Sequence, residues 1–518
     1  MKKSRFLIYL ISIFLFVLNS ISAEKPNVIF ILADDLGWSD LACYGSELYE
    51  TPNIDRLAQE GVKFTNAYSA CQVCSPTRAS FLTGKSPAAL KLTDWLAGRP
   101  DYDFQRMIKP KIRQGLPTSE KTIAEYFKEQ GYQTAMFGKW HVGKKSPFKP
   151  VDSGFDLHIP KTSTGGAPTG GYHGPFPFKD VPGKKGDYLT DKLTDHAIKF
   201  INKNKNKPFF LYFPHFAVHD PIQGRADLVK KYKKKLKSMP KPSGPAFILE
   251  GNPDDKEPLT RHQLTELLGR SEYKGHKVFP QRIVKIKQHQ NNPEFAAMVE
   301  AMDESLGRIE AELKSLGLSE NTIIIFTADN GSMAAANFFN PKRTVTKKTL
   351  DKAYSSSNLP LRGAKGWMYE GGIRVPAIVK WPGKGKNGII CDSPIITADF
   401  YPTILEMAGL PLLPEQHTGG VSFTKALKGE EYDRGKPLYW HYPHYSNHGM
   451  QSPGGAIRLG DHKLLEYFEN GTLQLFNLKE DIGEQNDISK QFPELVSKMH
   501  QMLKDWRQKN DVQMPVYR

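Results

Sequence analysis

Short runs of aliphatic, β-branched and aromatic residues punctuate the first 430 positions: 27–33 (NVIFILA), 134–137 (TAMF), 208–213 (PFFLYF), 322–327 (TIIIFT) and 376–381 (PAIVKW). In each run neighbouring positions are apolar rather than alternating, as a strand covered on both faces requires. Helical repeats lie between them. The longest predicted helix runs over 293–316, where Phe295, Val299, Met302, Leu306, Ile309, Leu313 and Leu316 recur at three and four residues and Gly317 is placed to end it. Residues 119–130 and 398–408 read as shorter helices, each followed by a glycine. Strands alternating with helices predict an α/β core built on a mainly parallel sheet. Beyond residue 430 the rhythm changes. Runs at 438–442, 455–459, 463–468 and 472–477 are separated by turn signals such as Leu459-Gly460-Asp461 and Glu469-Asn470-Gly471, which predict an antiparallel sheet, and 491–508 reads as a closing helix. The expected layout is an α/β domain over 24–430, carrying a Lys- and Pro-rich insertion at about 221–292, and a smaller antiparallel subdomain over 431–518.

The first residues stand apart. Residues 6–18 (FLIYLISIFLFVL) follow Lys2, Lys3 and Arg5 and precede the small residues Ser20, Ser22 and Ala23. Basic, apolar and small in that order is the pattern of a cleaved export signal, 1–23, and the apolar run falls short of the roughly 20 residues that span a bilayer. A periplasmic or secreted protein without stable membrane insertion is expected. Across 518 residues, 39% are apolar and 24% charged, which argues against disorder and coiled coil. Losing the three leader cations lowers the formal charge from +16 to +13, with much of the excess at 230–241 (KKYKKKLKSMPK), a stretch that reads as a solvated face or loop. A basic exported protein meets polyanions, and no RNP-like or zinc-finger pattern points to nucleic acid. Four cysteines, Cys43, Cys71, Cys74 and Cys391, cannot staple a chain this long; Cys71 and Cys74 are spaced for a local disulfide or a redox pair.

The residues just past each strand carry the chemistry. The first strand ends in Asp34-Asp35, the second in Lys139-Trp140-His141, the third leads to His215 and His219, and the fourth ends in Asp329-Asn330-Gly331. In an open parallel sheet ligands bind beyond the carboxyl ends of the strands, so these clusters are expected to meet at one edge. Taken singly each has a plainer account: aspartates start turns and cap helices, and histidines fill cores. Taken together, three carboxylates and an amide offer only hard oxygen ligands, which suit Ca²⁺ or Mg²⁺ and not zinc.

Cys74-Ser75-Pro76-Thr77-Arg78, followed by 79–84 (ASFLTG), resembles the signature of the type I, formylglycine-dependent sulfatases. Further blocks look like those of the same family in the same order: 27–35 (NVIFILADD), 51–55 (TPNID), 138–143 (GKWHVG), 327–331 (TADNG), 363–376 (GAKGWMYEGGIRVP), 381–383 (WPG) and 475–478 (LFNL). The resemblance implies an alkaline-phosphatase-like α/β fold with a smaller C-terminal antiparallel subdomain. It implies that a formylglycine-generating enzyme oxidises Cys74 to Cα-formylglycine (3-oxoalanine), an aldehyde that cannot pair with Cys71, leaving Cys71 a buried or semi-buried thiol. It implies one Ca²⁺ held by Asp34, Asp35, Asp329, Asn330 and an oxygen of modified Cys74.

The same resemblance distributes the work of sulfate ester hydrolysis. Arg78, Lys139 and Lys365 would surround the sulfate with positive charge. Asp329 would take the proton of the attacking hydroxyl, whose alkoxide forms a covalent sulfate ester. His219 would protonate the leaving sugar oxygen, and His141 would take the second hydroxyl proton, so that sulfate departs. His215 follows the same strand as His219 and stands second to it. Asp94, Trp95, His173 and the stretch 439–445 (YWHYPHY) read equally as walls of sugar subsites or as loop anchors. In style the chain resembles secreted bacterial polysaccharide sulfatases, so a sulfated glycan, ulvan or carrageenan in type, is the expected substrate. A phosphonate or phosphodiester hydrolase of the same superfamily is the alternative enzyme, and a non-catalytic anionic-glycan-binding protein the alternative of another class. The intact set Cys74, Arg78, Lys139, His141 and Asp329 argues against the last.

Overall fold

A nine-stranded sheet runs through the molecule. Its strands are β1 (Asn27–Ala33), β2 (Val62–Tyr68), β3 (Gln133–Phe137), β4 (Leu157–Ile159), β5 (Phe209–Pro214), β6 (Thr322–Ala328), β7 (Arg374–Lys380), β8 (Ile389–Cys391) and β9 (Ile395–Ile396). The order is β8-β2-β7-β6-β1-β5-β3-β4, with β9 also beside β2. The computed structural model describes residues 25–99, 101, 105–161, 168–260, 262–263, 266, 278–279, 283–335, 354–446, 448 and 451–518, and the expected export signal lies outside them. No helix among the described residues is long and apolar enough to cross a membrane.

The continuous apolar runs are explained by two cores, one on each face. Along β1, Ile29, Ile31 and Ala33 enter one core while Val28, Phe30 and Leu32 enter the other. The first face is covered by α1 (Pro52–Gln59), α4 (Leu189–Lys203), α5 (Ala226–Ser238) and α6 (Pro293–Ser315), the second by α2 (Cys74–Thr83), α3 (Ile123–Glu129) and α7 (Phe400–Met407). Each fully buried Ile, Leu or Phe contributes about 1.5–3 kcal/mol by leaving water. β1 lies parallel to both β6 and β5, in a register that sets Ala33 beside Ala328 and Leu32 beside Pro214. The carboxyl ends of β1, β3, β5 and β6 therefore share one edge. β7 runs antiparallel to both β6 and β2, so its amino end arrives at that same edge.

Three elements differ from expectation at their boundaries. The helix expected over 119–130 begins only at Ile123, because Thr122 forms a capping box: its hydroxyl accepts from Glu125 N (3.0 Å), and the Glu125 carboxylate accepts from Thr122 N (2.7 Å). The helix expected over 398–408 starts at Phe400 after a 3₁₀ turn, Thr397–Asp399. The Lys-rich stretch is helical as far as Ser238, since Leu228, Val229 and Tyr232 give α5 a buried stripe and leave the lysines a solvated face.

Beyond Pro437, β10 (Leu438–Tyr442), β11 (Gly454–Leu459), β12 (His462–Tyr467) and β13 (Leu473–Asn477) form an antiparallel sheet in sequence order. Gly460 turns the chain between β11 and β12 with φ of 59°, a left-handed conformation that glycine enters without steric cost. α8 (Pro493–Lys509) packs Met499 and Leu503 on Ile457, Leu464 and Leu475 of this sheet. A buried polar cluster joins the sheet to the core: Lys463 Nζ meets Glu370 and Glu484, each at 2.9 Å, and the Tyr68 hydroxyl donates to Glu370 at 2.7 Å. Glu370 begins the short helix that leads into β7, so this cluster fixes the segment carrying Lys365. The described part of the 221–292 insertion contains α5 and a small sheet of Phe247–Glu250, Ile283–Lys287 and Val278–Phe279.

Candidate active site

Of the acidic, basic and amide residues singled out at the strand ends, all but His215 reach one buried place. Asp34 and Asp35 follow β1 directly, and Asp329 and Asn330 follow β6. Lys139 and His141 lie past β3, and His215 and His219 past β5. Cys74 opens α2, whose ten residues are all buried. Asp35 and His141 hold left-handed backbone, φ 61° and 59°, a conformation that costs a non-glycine residue of order 1 kcal/mol or more and clusters where side chains are aimed for function.

Three carboxylates and three cations interlock there. Lys139 Nζ donates to Asp34 Oδ2 at 2.6 Å, and Lys365 Nζ to Asp35 Oδ2 at 2.6 Å. Arg78 donates through Nε (2.9 Å) and Nη2 (2.7 Å) to a single oxygen, Asp329 Oδ2, and through Nη1 to the Lys139 carbonyl at 2.8 Å. Asn330 Nδ2 donates to Asp35 Oδ1 at 2.7 Å. Several inward oxygens stay poorly served. Among the described residues Asp34 Oδ1 and Asn330 Oδ1 are buried without a hydrogen bond, the first having only Arg78 Nη2 at the longer distance of 3.4 Å, and Asp329 Oδ1 accepts one, from Asp35 N at 3.2 Å. Buried oxygens left in this way ordinarily cost stability, which points to an absent partner of positive charge. Ligand atoms of Asp34, Cys74 and Asp329 lie within 4.8 Å of one another, so the site fits a hard divalent cation.

Burial and the neighbouring Asp34 carboxylate push Asp329 up, against the pull of Arg78 and Lys139. For Asp35 burial is outweighed by Lys365, His219 and Lys139, which hold it well below the ordinary carboxylate range. His219 Nε2 stands 3.5 Å from Asp35 Oδ2, and Nδ1 is 2.8 Å from the Asp220 carbonyl and 2.7 Å from its carboxylate. Burial and Lys365 press the His219 imidazole down, but Asp35 and Asp220 hold it up at about 9. His141 is the opposite case. Burial and the Lys139 charge hold it far below its ordinary value, so it is neutral. Its Nε2 lies 2.8 Å from the Leu96 carbonyl, which can only accept, so the proton sits on Nε2 and the unpartnered Nδ1 keeps its lone pair.

His215 is brought to the same edge but into an apolar setting, its ring 4.1 Å from that of Phe213, and burial alone pushes it down to about 3. Cys71 and Cys74 are free thiols, both buried. Asp94 is a buried anchor: Arg99 Nε and Nη2 donate to it at 2.8 and 2.7 Å, and the Tyr442 hydroxyl donates at 3.0 Å. In the 439–445 stretch, Tyr439 stacks on Trp506 at 4.9 Å and Trp440 donates to the Ser69 carbonyl at 2.9 Å, so these two rings anchor the subdomain. Trp95 is half-buried, and His173 is exposed and pairs with Tyr188.

Sequence reasoning missed two residues. Asp220 engages His219, a role readable from its adjacency alone. His448 is buried against Gly366, next to Lys365: a Cβ on that glycine would stand 3.0 Å from His448 Nδ1, and neither ring nitrogen has a hydrogen-bond partner among the described residues. Nothing in the pattern around residue 448 signals it.

Comparison with known proteins agrees with this geometry. Residues 26–410 match the family described as Sulfatase, and residues 364–509 match the C-terminal region of N-sulphoglucosamine sulphohydrolase. The chain is 30% identical to a sulfatase of Formosa agariphila, over 94% of this chain and 90% of that one. It is 28% identical to an N-acetylglucosamine-6-O-sulfatase of Bacteroides thetaiotaomicron, over 90% and 83%. The crystal structure of Ps i-CgsB in complex with k-i-k-neocarrahexaose superposes with a TM-score of 0.70 at 26% identity, covering 94% of each chain. A mostly parallel sheet clad in helices, a smaller antiparallel sheet and this site together place the chain in the sulfatase family, as a sulfuric ester hydrolase.

Proposed function

We propose that the protein removes sulfate esters from an algal sulfated polysaccharide or its oligosaccharides after export, with a carrageenan-type galactan as first choice and ulvan as second. The carrageenan oligosaccharide in the Ps i-CgsB complex supports that order. One observation carries the reading: Asp34 Oδ1 and Asn330 Oδ1 lie buried with no hydrogen bond from the described residues, Asp34 Oδ1 having only a 3.4 Å approach of Arg78 Nη2, beside Cys74. Asp34, Asp35, Asp329, Asn330 and an oxygen on residue 74 would hold Ca²⁺. Once converted and hydrated, residue 74 would offer a hydroxyl nucleophile, and an ion held there would supply the positive charge that lowers its pKa.

Charge supports this division of labour. Asp34, Asp35 and Asp329 balance Arg78, Lys139 and Lys365, so the cluster by itself has no excess with which to hold an anion. With the acids offset by a bound dication, Arg78, Lys139 and Lys365 would be free to hold a sulfate monoester. Asp329 then takes the nucleophile's proton. His219, clamped by Asp220, donates a proton to the leaving sugar oxygen, the poorest leaving group in the reaction. The His141 Nδ1 lone pair accepts the last proton at residue 74. Over the cycle one water is consumed, and an alcohol and sulfate leave.

Peptide mass spectrometry of the exported protein tests the reading. Conversion of the Cys74 thiol to an aldehyde removes about 18 Da. That loss, together with sulfate release from carrageenan or ulvan oligosaccharides that disappears in Cys74→Ala, is the expected result; full activity with an unmodified thiol overturns it.

A further inference from the structure

Helix α5 presents two kinds of lysine. Lys231 Nζ pairs with Glu50 (2.5 Å) and Glu300 (2.6 Å), and Lys235 Nζ with Glu50 (2.9 Å) and the Leu48 carbonyl (2.8 Å), so these two fasten the helix to the body. Lys230, Lys233, Lys234 and Lys237 are exposed and make no ion pair among the described residues. Their spacing of three and four residues stacks them in one stripe, where like charges repel. A helix anchored by Leu228, Val229 and Tyr232 has no packing need for four such cations.

The stripe is one wall of an open groove of about 660 Å³, to which His173, Gly224 and Glu294 also contribute. Glu294, whose Oε2 accepts from the Gly224 N–H at 2.9 Å, is one carboxylate against four lysines in that lining, so the groove keeps an excess of positive charge. The groove lies near the active site. Gly224 is five residues from His219, so its Cα can be no more than about 18 Å from that of His219.

We infer that this groove is an accessory binding site for a sulfated glycan chain, holding sulfate groups on Lys230, Lys233, Lys234 and Lys237 while another stretch of the same polymer reaches the catalytic edge. The inference rests on the reading of the substrate as a sulfated polymer. It favours a polyanion with charges repeated along a chain, since a single anion would engage one or two of the lysines.

The test uses Cys74→Ala protein, which needs no turnover, with and without Lys230→Gln, Lys233→Gln, Lys234→Gln and Lys237→Gln together. Glutamine keeps the length and helix propensity of the stripe. Affinity electrophoresis in gels containing ι-carrageenan or heparin reads binding, with polyglutamate and anionic phosphatidylglycerol vesicles as comparisons. The fourfold substitution is expected to weaken glycan binding about tenfold, four weak surface contacts multiplying, and to flatten its dependence on salt. In the Cys74 enzyme it should lower turnover of the polymer about tenfold more than turnover of a small aryl sulfate.

Unchanged glycan affinity in a normally folded fourfold variant overturns the proposal. So does wild-type affinity no tighter for either glycan than for polyglutamate, or a stripe that holds vesicles and not glycan. If the glycan binds and the substitution releases it, while the Cys74 enzyme frees no sulfate, the groove stands and the catalytic reading falls.

Discussion

Arg434 meets Asp399 through two parallel hydrogen bonds, Nε to Oδ2 and Nη2 to Oδ1, both at 2.9 Å. Its other donors reach the carbonyls of Gly419, Lys436 and Pro437, and Asp399 also accepts from Ile396 N and Val421 N. Arg78 is as deeply buried, yet it places two donors on one oxygen of Asp329 and leaves the other with a single 3.2 Å bond. Asp34 Oδ1 beside it has none. Both pairs bear the desolvation cost of a buried ion pair. The first recovers it within the protein, by tying the start of α7 to the segment before β10. The second leaves carboxylate oxygens short of hydrogen bonds from the described residues, and that difference in satisfaction separates the structural pair from the candidate site.

The widest way to break the comparison is to remove the nucleophile. Cys74→Ala should lower kcat/KM for sulfate release by roughly 10⁴-fold or more, since no neighbouring group can take the same role. Because residue 74 is fully packed and the change small, the melting temperature should hardly move. A large loss of Tm alongside activity would make Cys74 a packing residue first.

The reverse outcome is expected at the satisfied pair. Asp399→Ala strands a buried guanidinium and should cost about 3–5 kcal/mol of stability in denaturant unfolding. Activity per folded molecule should stay near wild type, because Asp399 touches nothing in the site. Loss of kcat without loss of stability would erase the contrast between the two pairs.

Metal should act only on the unsatisfied cluster. Ca²⁺ at a hundredfold above its dissociation constant should stabilise the protein by about 2.7 kcal/mol, read as a rise in Tm that a chelator reverses. Asn330→Ala removes one of the unpartnered oxygens and should shrink that rise, whereas Arg434→Lys should leave the Ca²⁺-dependent increment intact.

Much of this was legible in the chain, for a physical reason. Strands covered on both faces have to be apolar throughout, so β1, β3, β5 and β6 stand out, and the polar residues that end them are where a parallel sheet binds ligands. β2 escapes the pattern, since its burial is uneven along VKFTNAY and its polar positions dilute the run. The reversed sense of β7 has no sequence marker, although it delivers Lys365 to the site. α2 is buried on every side, so no amphipathic period announces it. His448 comes from the far end of the chain and meets Lys365 only through tertiary packing.

The two histidines after β5 offer the finest test. His219→Gln should lower kcat on a sugar sulfate roughly 10²-fold or more, with a smaller loss on an activated aryl sulfate whose leaving group needs no proton. His215→Gln should cost far less activity and show itself in stability instead. Burial moves His215 from an ordinary 6.5 to about 3, so the folded state resists protonation that the unfolded chain accepts. Its contribution is complete above pH 6.5 and is lost as pH falls, by about 1.4 kcal/mol per pH unit below that value. Unfolding free energy measured from pH 7 to pH 4.5 should therefore decline less steeply in His215→Gln than in wild type. Equal slopes, together with a large loss of kcat in His215→Gln, would move the leaving-group proton from His219 to His215.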